Sequence, residues 1–273
     1  MAPASRADGA PPPRAVAIVP ARLGSTRLAR KMLLRGTGRY LFEHTVRNAE
    51  RCRALRAVWL ATDSEEIERA AAEVGVRCLR TSPEHPSGTD RVEEAARLLR
   101  RGGELGGDEV IVNVQGDEPE LPPGDLERLV GAFADPAVEV ATLWAPIQTV
   151  EELEAAHAVK VVCDPRGRAL YFSRAPIPSR AHPGARASAQ DGGEPLGRRH
   201  VGVYAFRPAA LERFCALEPT PLERAESLEQ LRWLESGGRI HCLPVTRPTC
   251  GIDTEEDYRS FAGRLAAAGR PTP

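Results

Sequence analysis

The sequence has 273 residues, of which 42% are hydrophobic and 27% charged, a balance typical of a globular protein with one or two domains. Its 37 basic and 38 acidic side chains leave a formal net charge of −1, which argues against a protein that binds nucleic acid or a membrane surface through a broadly basic face. No apolar run approaches the roughly 20 residues that span a bilayer, so we expect no insertion into a membrane.

The amino-terminal stretch, MAPASRADGAPPPR, contains no apolar segment of the kind found in signal peptides. Its small and proline-rich composition predicts a disordered tail over residues 1–13. The six cysteines are scattered without a CxxC pair, which indicates reduced thiols and a cytoplasmic protein.

In the first half of the chain, apolar runs alternate with amphipathic stretches. The apolar runs predict strands, and the amphipathic stretches predict helices, over these residues: strands at Ala15–Val19, Ala57–Ala61, Val76–Arg80 and Glu109–Val114; helices at Leu41–Cys52, Ser64–Val74 and Asp90–Arg100. Strands that are apolar throughout and alternate with helices predict a parallel sheet covered on both faces. Such sheets bind ligands beyond the carboxyl ends of their strands.

The second half predicts a more mixed sheet and two long helices. The predicted strands are Val138–Ile147, His157–Asp164, Arg168–Pro178, Arg199–Pro208 and Arg239–Val245; the predicted helices are Pro221–Ser236 and a C-terminal one that Thr254 caps, with Asp257 three residues on. The stretch Ser179–Arg199 has no periodicity and is either a mobile substrate loop or disordered.

A cationic loop follows the first predicted strand. The segment AIVPARLGSTRLARK, residues 17–31, collects Arg22, Arg27, Arg30 and Lys31 within ten residues. Backbone N–H groups around its Gly-Ser-Thr and the added charge suit a polyphosphate, and the alternative is a solvated basic loop. The segment matches neither the P-loop nor GxGxxG, which disfavours a Walker-type ATPase and a dinucleotide oxidoreductase.

Lysine is rare in this arginine-rich chain, because Lys31 and Lys160 are the only two among the 37 basic residues. A compact ammonium is retained where a planar guanidinium does not fit, as at a tight phosphate site. Both lysines are therefore candidates for such sites.

Two acidic loops follow apolar segments, each next to a glycine. Asp117 lies in NVQGDEP, and Asp253 lies in CGIDTEED. A carboxylate at the end of a strand commonly holds Mg²⁺ against phosphates, whereas the alternative is that each aspartate only caps the helix after it. Together with the cationic loop, the two acids predict metal-assisted phosphoryl or nucleotidyl transfer.

The segment EHPSGTDR, residues 84–91, forms a turn-rich loop that leads into a helix. Ser87, Gly88 and Thr89 are placed to hydrogen-bond a base or ribose, and Arg91 to reach a phosphate. The alternative is a helix N-cap with an ordinary loop.

These motifs and several others resemble the 3-deoxy-manno-octulosonate cytidylyltransferases, also called CMP-Kdo synthetases. The blocks that carry the resemblance run in order from about Val16 to the last helix: IVPARLGSTRL with Lys31, ATDSEEI, HPSGTDR, VNVQGDEPELPP, AVKVV, ALYFSRAPIP, HVGVYAFR, PLERAESLEQLRWLESG and GIDTEEDY. The resemblance implies an enzyme that joins CTP to the acidic sugar Kdo with Mg²⁺ and releases pyrophosphate.

The resemblance also implies the fold and the assembly. The fold is α/β, a Rossmann-like nucleotidyltransferase fold with a mainly parallel central sheet flanked by helices and a smaller mixed-sheet subdomain. Residues 14–268 would form a single domain, with a CTP-binding half at about 14–135, a part for acceptor binding and dimerisation at about 136–252, and the C-terminal helix at 253–268. Members of the family are usually homodimers.

Site residues carry over from the family position by position. The catalytic set is Arg22, Lys31, Asp117 and Asp253, of which the two aspartates hold the metal. The CTP-binding set is Arg22, Ser25, Lys31, Ser87, Gly88, Thr89, Arg91 and Gln115. The acceptor-binding set is Arg174, His200, Tyr204, Glu229 and Gln230. Because Glu229 and Gln230 are adjacent on a predicted helix, we expect at most one of them to point into a cleft.

Two alternatives concern the function. The arginine, alanine and proline bias suggests a GC-rich genome, and related enzymes of such bacteria transfer CMP to other small acids, such as phosphonoformate in phosphonate and phosphinate antibiotic pathways. A non-catalytic nucleotide sensor on the same fold is the second alternative, and the retained metal and phosphate residues argue against it.

Overall fold

A computed structural model describes residues 13–24, 28–179 and 195–268 of the protein. Residues 1–12 of the predicted tail, the phosphate-binding candidate Ser25 and most of the Ser179–Arg199 stretch lie outside the described residues.

The first half alternates strands and helices as predicted, and it adds one helix after Asp117 that only the helix-capping alternative indicated. The elements are β1 (Ala15–Ala21), α1 (Leu41–Ala49), β2 (Leu55–Thr62), α2 (Glu65–Glu73), β3 (Cys78–Arg80), α3 (Gly88–Arg101), β4 (Val110–Asn113) and the added α4 (Pro123–Gly131), with short 3-10 turns at Lys31–Leu33 and Ala132–Ala134. Polar side chains fix two of the helix starts: the Ser64 Oγ accepts from the N–H of Ile67, and Ser87 caps α3.

The second half contains five strands and five helices in the described residues. They are β5 (Val140–Ile147), α5 (Val150–Glu154), β6 (Lys160–Cys163), β7 (Ala169–Ser173), β8 (Gly197–Phe206), α6 (Pro208–Ala216), α7 (Pro221–Glu226), α8 (Gln230–Glu235), β9 (Ile240–Pro244) and α9 (Glu255–Ala268). Helix α9 begins as predicted, because Thr254 and Asp257 exchange hydrogen bonds across its first turn.

All nine strands in the described part of the chain belong to one sheet of order β3-β2-β1-β4-β8-β5-β9, and the hairpin β6–β7 joins it through β8. The strands β1 to β4 are parallel, whereas β8 runs antiparallel to both β4 and β5. The predicted α/β fold is confirmed, and the mixed part extends the parallel part because β8 pairs directly with β4.

Helices cover both faces of this sheet. Strand β1 sends Ala17 and Val19 to one face and Val16 and Ile18 to the other, as the two-residue period of a strand requires. The helices α1, α2, α4 and α9 pack on the first face, and α3, α6 and α8 pack on the second. No helix in the described ranges has the length and apolar character needed to cross a membrane.

The single helix predicted over Pro221–Ser236 is wrong, because the chain forms two short helices there. Ser227 separates them with a left-handed backbone conformation, φ 54°. The first helix, α7, has no buried residue, whereas Leu228 and Leu231 after the break are buried in the core. Core packing of the second segment thus overrides the continuous helical period of the sequence.

Candidate active site

A cavity of about 700 Å³ opens where β1 and β4 end. Because these strands are parallel neighbours, their carboxyl ends meet at the same edge of the sheet, as the sequence analysis expects for a ligand site. The predicted site residues that line the cavity are Arg22, Lys31, Ser87, Gly88, Arg91, Gln115, Asp117, Glu229 and Asp253.

Lys31 joins the two predicted metal-binding aspartates at one wall of the cavity. Its Nζ donates to Asp117 Oδ2 at 2.6 Å and to Asp253 Oδ1 at 3.0 Å. The backbone holds the same arrangement, since the N–H of Ile252 donates to the carbonyl of Asp117 at 2.9 Å. Burial disfavours the charged form of Lys31, but the two carboxylates outweigh this effect and raise the pKa of the lysine.

The donor set at this wall fits Mg²⁺. Asp117 and Asp253 both point a carboxylate oxygen at the Lys31 ammonium, so a metal in this place would meet two oxygen ligands. Oxygen is the ligand atom that Mg²⁺ prefers. No group of three or more His, Cys, Asp or Glu side chains able to hold a metal occurs in the described residues. An ion held here would thus draw its other ligands from substrate and water, which is the usual arrangement for Mg²⁺ at phosphates.

Glu118 is a buried acid beside this site that the sequence analysis did not single out. Its side chain is 8% exposed, and its Oε2 is buried without a hydrogen-bond partner among the described residues. Burial, with the neighbouring charge of Asp117, raises the pKa of Glu118 to about 8. The only sequence signal for it was its place directly after Asp117.

The N-terminus of α3 faces the cavity. Ser87 Oγ accepts from the N–H groups of Thr89 and Asp90 at 3.1 and 3.2 Å, so Ser87 is the N-cap that the alternative interpretation foresaw. Gly88 lies beside Pro20 and Gln115, and a Cβ there would make ordinary van der Waals contacts with them at 3.4 and 4.0 Å. The positive end of the helix dipole therefore adds to the cationic character of the cavity.

Arg91 is held by protein groups and is 4% exposed. Its guanidinium donates to Thr81 Oγ1 at 2.6 Å and to Asp63 Oδ2 at 2.8 Å. These contacts tie α3 to the loops that follow β2 and β3. That Arg91 also reaches a phosphate stays a prediction.

The acceptor candidates divide between the cavity and its surroundings. Glu229 lines the cavity and accepts a hydrogen bond from the Thr89 hydroxyl. Gln230 is 4% exposed and Thr89 is 1% exposed, so both lie behind the cavity wall. The expectation that only one of Glu229 and Gln230 points into a cleft agrees with this arrangement.

The structure does not bring His200, Tyr204 and Arg174 to the cavity wall. His200 shares a hydrogen bond with Thr142 Oγ1 at 2.9 Å and packs against the ring of Tyr204. Burial lowers the pKa of His200 to about 3. Arg174 Nε donates to the carbonyl of Glu226 at 2.8 Å. The acceptor roles of these three residues stay predictions from the resemblance.

Lys160 occupies a tight site, but its partners are backbone carbonyls. The residue is fully buried, and its Nζ donates to the carbonyls of Ala155 at 2.9 Å, Ala158 at 2.7 Å and Arg174. This lysine therefore joins the loop before β6 to the end of β7 and has no phosphate role in this arrangement.

Comparison with known proteins identifies the family of the chain. The family model described as Cytidylyltransferase matches residues 16–240. A 3-deoxy-manno-octulosonate cytidylyltransferase of Nitratidesulfovibrio vulgaris (strain DP4) is 47% identical over 241 residues, which cover 88% of this chain and 91% of the relative. A protein of the same name from Anaeromyxobacter sp. (strain Fw109-5) is 46% identical over 257 residues, 94% of this chain and 99% of the relative.

Solved structures support the same assignment. A CMP:2-keto-3-deoxy-manno-octonic acid synthetase complexed with CTP matches with a TM-score of 0.82 and 36% identity, over 93% of this chain and 99% of that one. A 4-diphosphocytidyl-2C-methyl-D-erythritol synthase, 13% identical, shares the fold with a TM-score of 0.61 over 93% of this chain and 98% of that one. The predicted enzyme class, a nucleotidyltransferase, is confirmed, and the chain belongs to the 3-deoxy-manno-octulosonate cytidylyltransferase family.

Proposed function

We propose that the protein transfers CMP from CTP to Kdo, with Mg²⁺, and releases pyrophosphate. The observation that carries the proposal is the convergence of Asp117, Asp253 and Lys31 in one cavity at the ends of β1 and β4. Its substrates follow from the relatives, which are named for Kdo, and from the similar structure that holds CTP.

The residues of the chain supply positive charge that binds the triphosphate of CTP. Arg22 and Lys31 place positive charge at the cavity wall, and the N-terminus of α3 adds its dipole. When bound between Asp117 and Asp253, Mg²⁺ would polarise the phosphoryl oxygens and offset their charge.

The transfer itself needs no nucleophile from the protein. An acceptor hydroxyl attacks the α-phosphorus of CTP in line and forms a new P–O bond as its proton passes to solvent water, while the bond to the β-phosphate oxygen breaks and its electron pair leaves with pyrophosphate. Arg22 and Lys31 stabilise the charge that accumulates on the leaving group. Positioning and electrostatics therefore account for most of the rate acceleration.

Two further parts of the proposal concern the assembly and its location. We propose a homodimer in the cytoplasm. Leu170 on β7 is 62% exposed, so the β6–β7 hairpin presents an apolar side chain that a second subunit could cover. Light scattering on the purified protein tests the dimer, and a monomer at micromolar concentration would contradict it.

The experiment for the proposed reaction measures pyrophosphate release from CTP and Mg²⁺ with Kdo, with phosphonoformate and without acceptor. We expect release only in the reaction that contains Kdo, because the relatives are named for this acid. Release with phosphonoformate but not with Kdo would show that phosphonoformate is the acceptor. No pyrophosphate release with either acid, although CTP binds tightly, would overturn the proposed reaction.

A variant tests the metal assignment in the same assay. Asp117→Asn should lower turnover by a factor of about 100 or more, because the metal loses one of its two carboxylate ligands, while the circular dichroism spectrum stays unchanged. The exposed Asp108, in the loop before β4, provides a matched control, and Asp108→Asn should keep the wild-type rate. A wild-type rate in Asp117→Asn would exclude this metal site.

A further inference from the structure

We propose that the Lys31 ammonium is the built-in counter-ion of Asp117 and Asp253, and that it moves to the triphosphate when metal and CTP bind. The divalent cation and CTP would then bind cooperatively. The cation replaces the ammonium at the carboxylates, and the phosphates of CTP accept the displaced ammonium. This inference rests on the proposed function, because it takes Asp117 and Asp253 as the metal ligands.

The first step of the argument is the place that the ammonium occupies. Lys31 is 7% exposed, and its Nζ lies within 3.0 Å of one oxygen from each aspartate. Two carboxylates brought this close together repel each other unless a cation lies between them. The ammonium therefore stabilises the same pair of charges that a metal bound between these aspartates would stabilise.

The second step is that the ammonium and a metal cannot share this place. Mg²⁺ binds oxygen at about 2.0–2.1 Å and needs the lone pairs that now accept from Lys31. An ammonium held at the same oxygens would also repel the ion. Metal binding thus requires that the Lys31 head group leaves both carboxylates.

The third step is where the ammonium goes. The backbone of Lys31 is fixed by a 3-10 turn, in which the N–H of Leu33 donates to the carbonyl of Arg30 at 2.8 Å. The displacement therefore falls to the flexible four-carbon stem, and the open cavity beside the aspartates is the space available to it. Phosphate oxygens in that cavity would accept the hydrogen bonds that the carboxylates release.

The consequence is a thermodynamic coupling between the two ligands. Metal alone must displace an ammonium that has no new acceptor, and CTP alone must attract an ammonium that the carboxylates retain. Together they satisfy both groups, and linkage makes the effect reciprocal. Free divalent cation should therefore bind weakly until CTP is present.

The test measures binding of Mn²⁺ alone, without CTP, from the electron paramagnetic resonance signal of the free ion. We expect Lys31→Met to bind Mn²⁺ about 5–150-fold more tightly than the wild type, the usual range of coupling between sites. Lys31→Arg keeps the charge and should bind as weakly as the wild type. An unchanged or weaker affinity in Lys31→Met overturns the inference.

Two controls separate displacement from a general effect of charge. Arg22→Met removes another cation that lines the same cavity and should change Mn²⁺ affinity little. An equal gain in Arg22→Met would overturn the displacement. If Lys31→Met does not fold, Lys31→Gln removes the same charge, and the same outcomes apply to it.

Further variants distinguish failure of this inference from failure of the proposed function. Asp117→Asn or Asp253→Asn, introduced into Lys31→Met, should abolish the tight Mn²⁺ binding. Binding that survives both changes would contradict the metal site itself. Binding that depends on both aspartates but is no tighter than in the wild type would contradict only the role of Lys31.

Discussion

Lys31 and Lys160 show how much a rare residue reveals at the scale of single side chains. Both occupy tight, buried sites, as their retention in an arginine-rich chain indicates. Their acceptors differ, because Lys31 binds two carboxylates and Lys160 binds three backbone carbonyls. The sequence does not reveal this difference, because the acceptors of Lys31 come from distant parts of the chain.

Lys160→Arg should destabilise the protein by about 2–4 kcal/mol, because a planar guanidinium cannot reach three converging carbonyls in a fully buried site. Urea unfolding measures the change. Arg166→Lys is the matched control on the exposed turn of the same hairpin, and it should have no measurable effect. Wild-type stability in Lys160→Arg would show that the carbonyl site tolerates either cation.

His200 should make the stability of the protein depend on pH. Burial lowers its pKa to about 3 in the folded protein from an ordinary value of 6.5, so between these values the unfolded chain binds a proton that the folded protein does not. Stability should therefore fall as the pH decreases from 6.5, with His200 contributing up to about 1.4 kcal/mol per pH unit.

Urea unfolding of the wild type and of His200→Gln, at several pH values between 4 and 7, tests the prediction for His200. The variant should lose stability less steeply with acidification. The exposed His157 provides the control, and His157→Gln should follow the wild-type curve. Parallel curves for the wild type and His200→Gln would contradict the pKa assigned to this residue.

At the scale of elements, local patterns predicted the parallel strands and the helices between them because burial on both faces leaves an unmistakable apolar run. The break at Ser227 was not predictable in this way, since it depends on Leu228 entering the core. The break also determines the site, because it places Glu229 against Thr89 on α3. The helix break and the position of Glu229 therefore depend on tertiary contacts, which the periodicity of the sequence does not reveal.

Gly116, in the loop after β4, has little room for a side chain. A Cβ at Gly116 would lie 2.8 Å from Met32 Sδ and 3.2 Å from the carbonyl of Pro20. Gly116→Ala would therefore shift Asp117 from its place, and we expect kcat to fall about tenfold or more. The free energy of unfolding should fall by about 1–3 kcal/mol.

Steady-state kinetics and urea unfolding check this expectation for Gly116. Gly124→Ala is the matched control, because Gly124 lies in the first turn of α4 and a Cβ there meets nothing within 4 Å. It should retain wild-type kcat. Normal kcat in Gly116→Ala would mean that the loop adjusts without moving the carboxylate.

At the scale of the whole molecule, one continuous sheet brings the site together. Asp117 follows β4, whereas Asp253 precedes α9, and α9 packs on the same face as α1 and α4. The sequence indicated that each aspartate follows an apolar segment and suggested that both serve one phosphate site, and the family resemblance assigned them as the metal ligands. Residue types and spacing alone did not establish that they meet, because their proximity depends on how the C-terminal helix packs across the sheet.

The most direct test of that meeting compares kcat for Asp117→Asn, Asp253→Asn and the double variant with CTP, Mg²⁺ and Kdo. If both carboxylates hold one ion, either single substitution abolishes the contribution of that ion to catalysis. The double variant should then be no slower than the slower single variant. Losses that multiply in the double variant would show that the two aspartates act independently and would contradict a shared metal site.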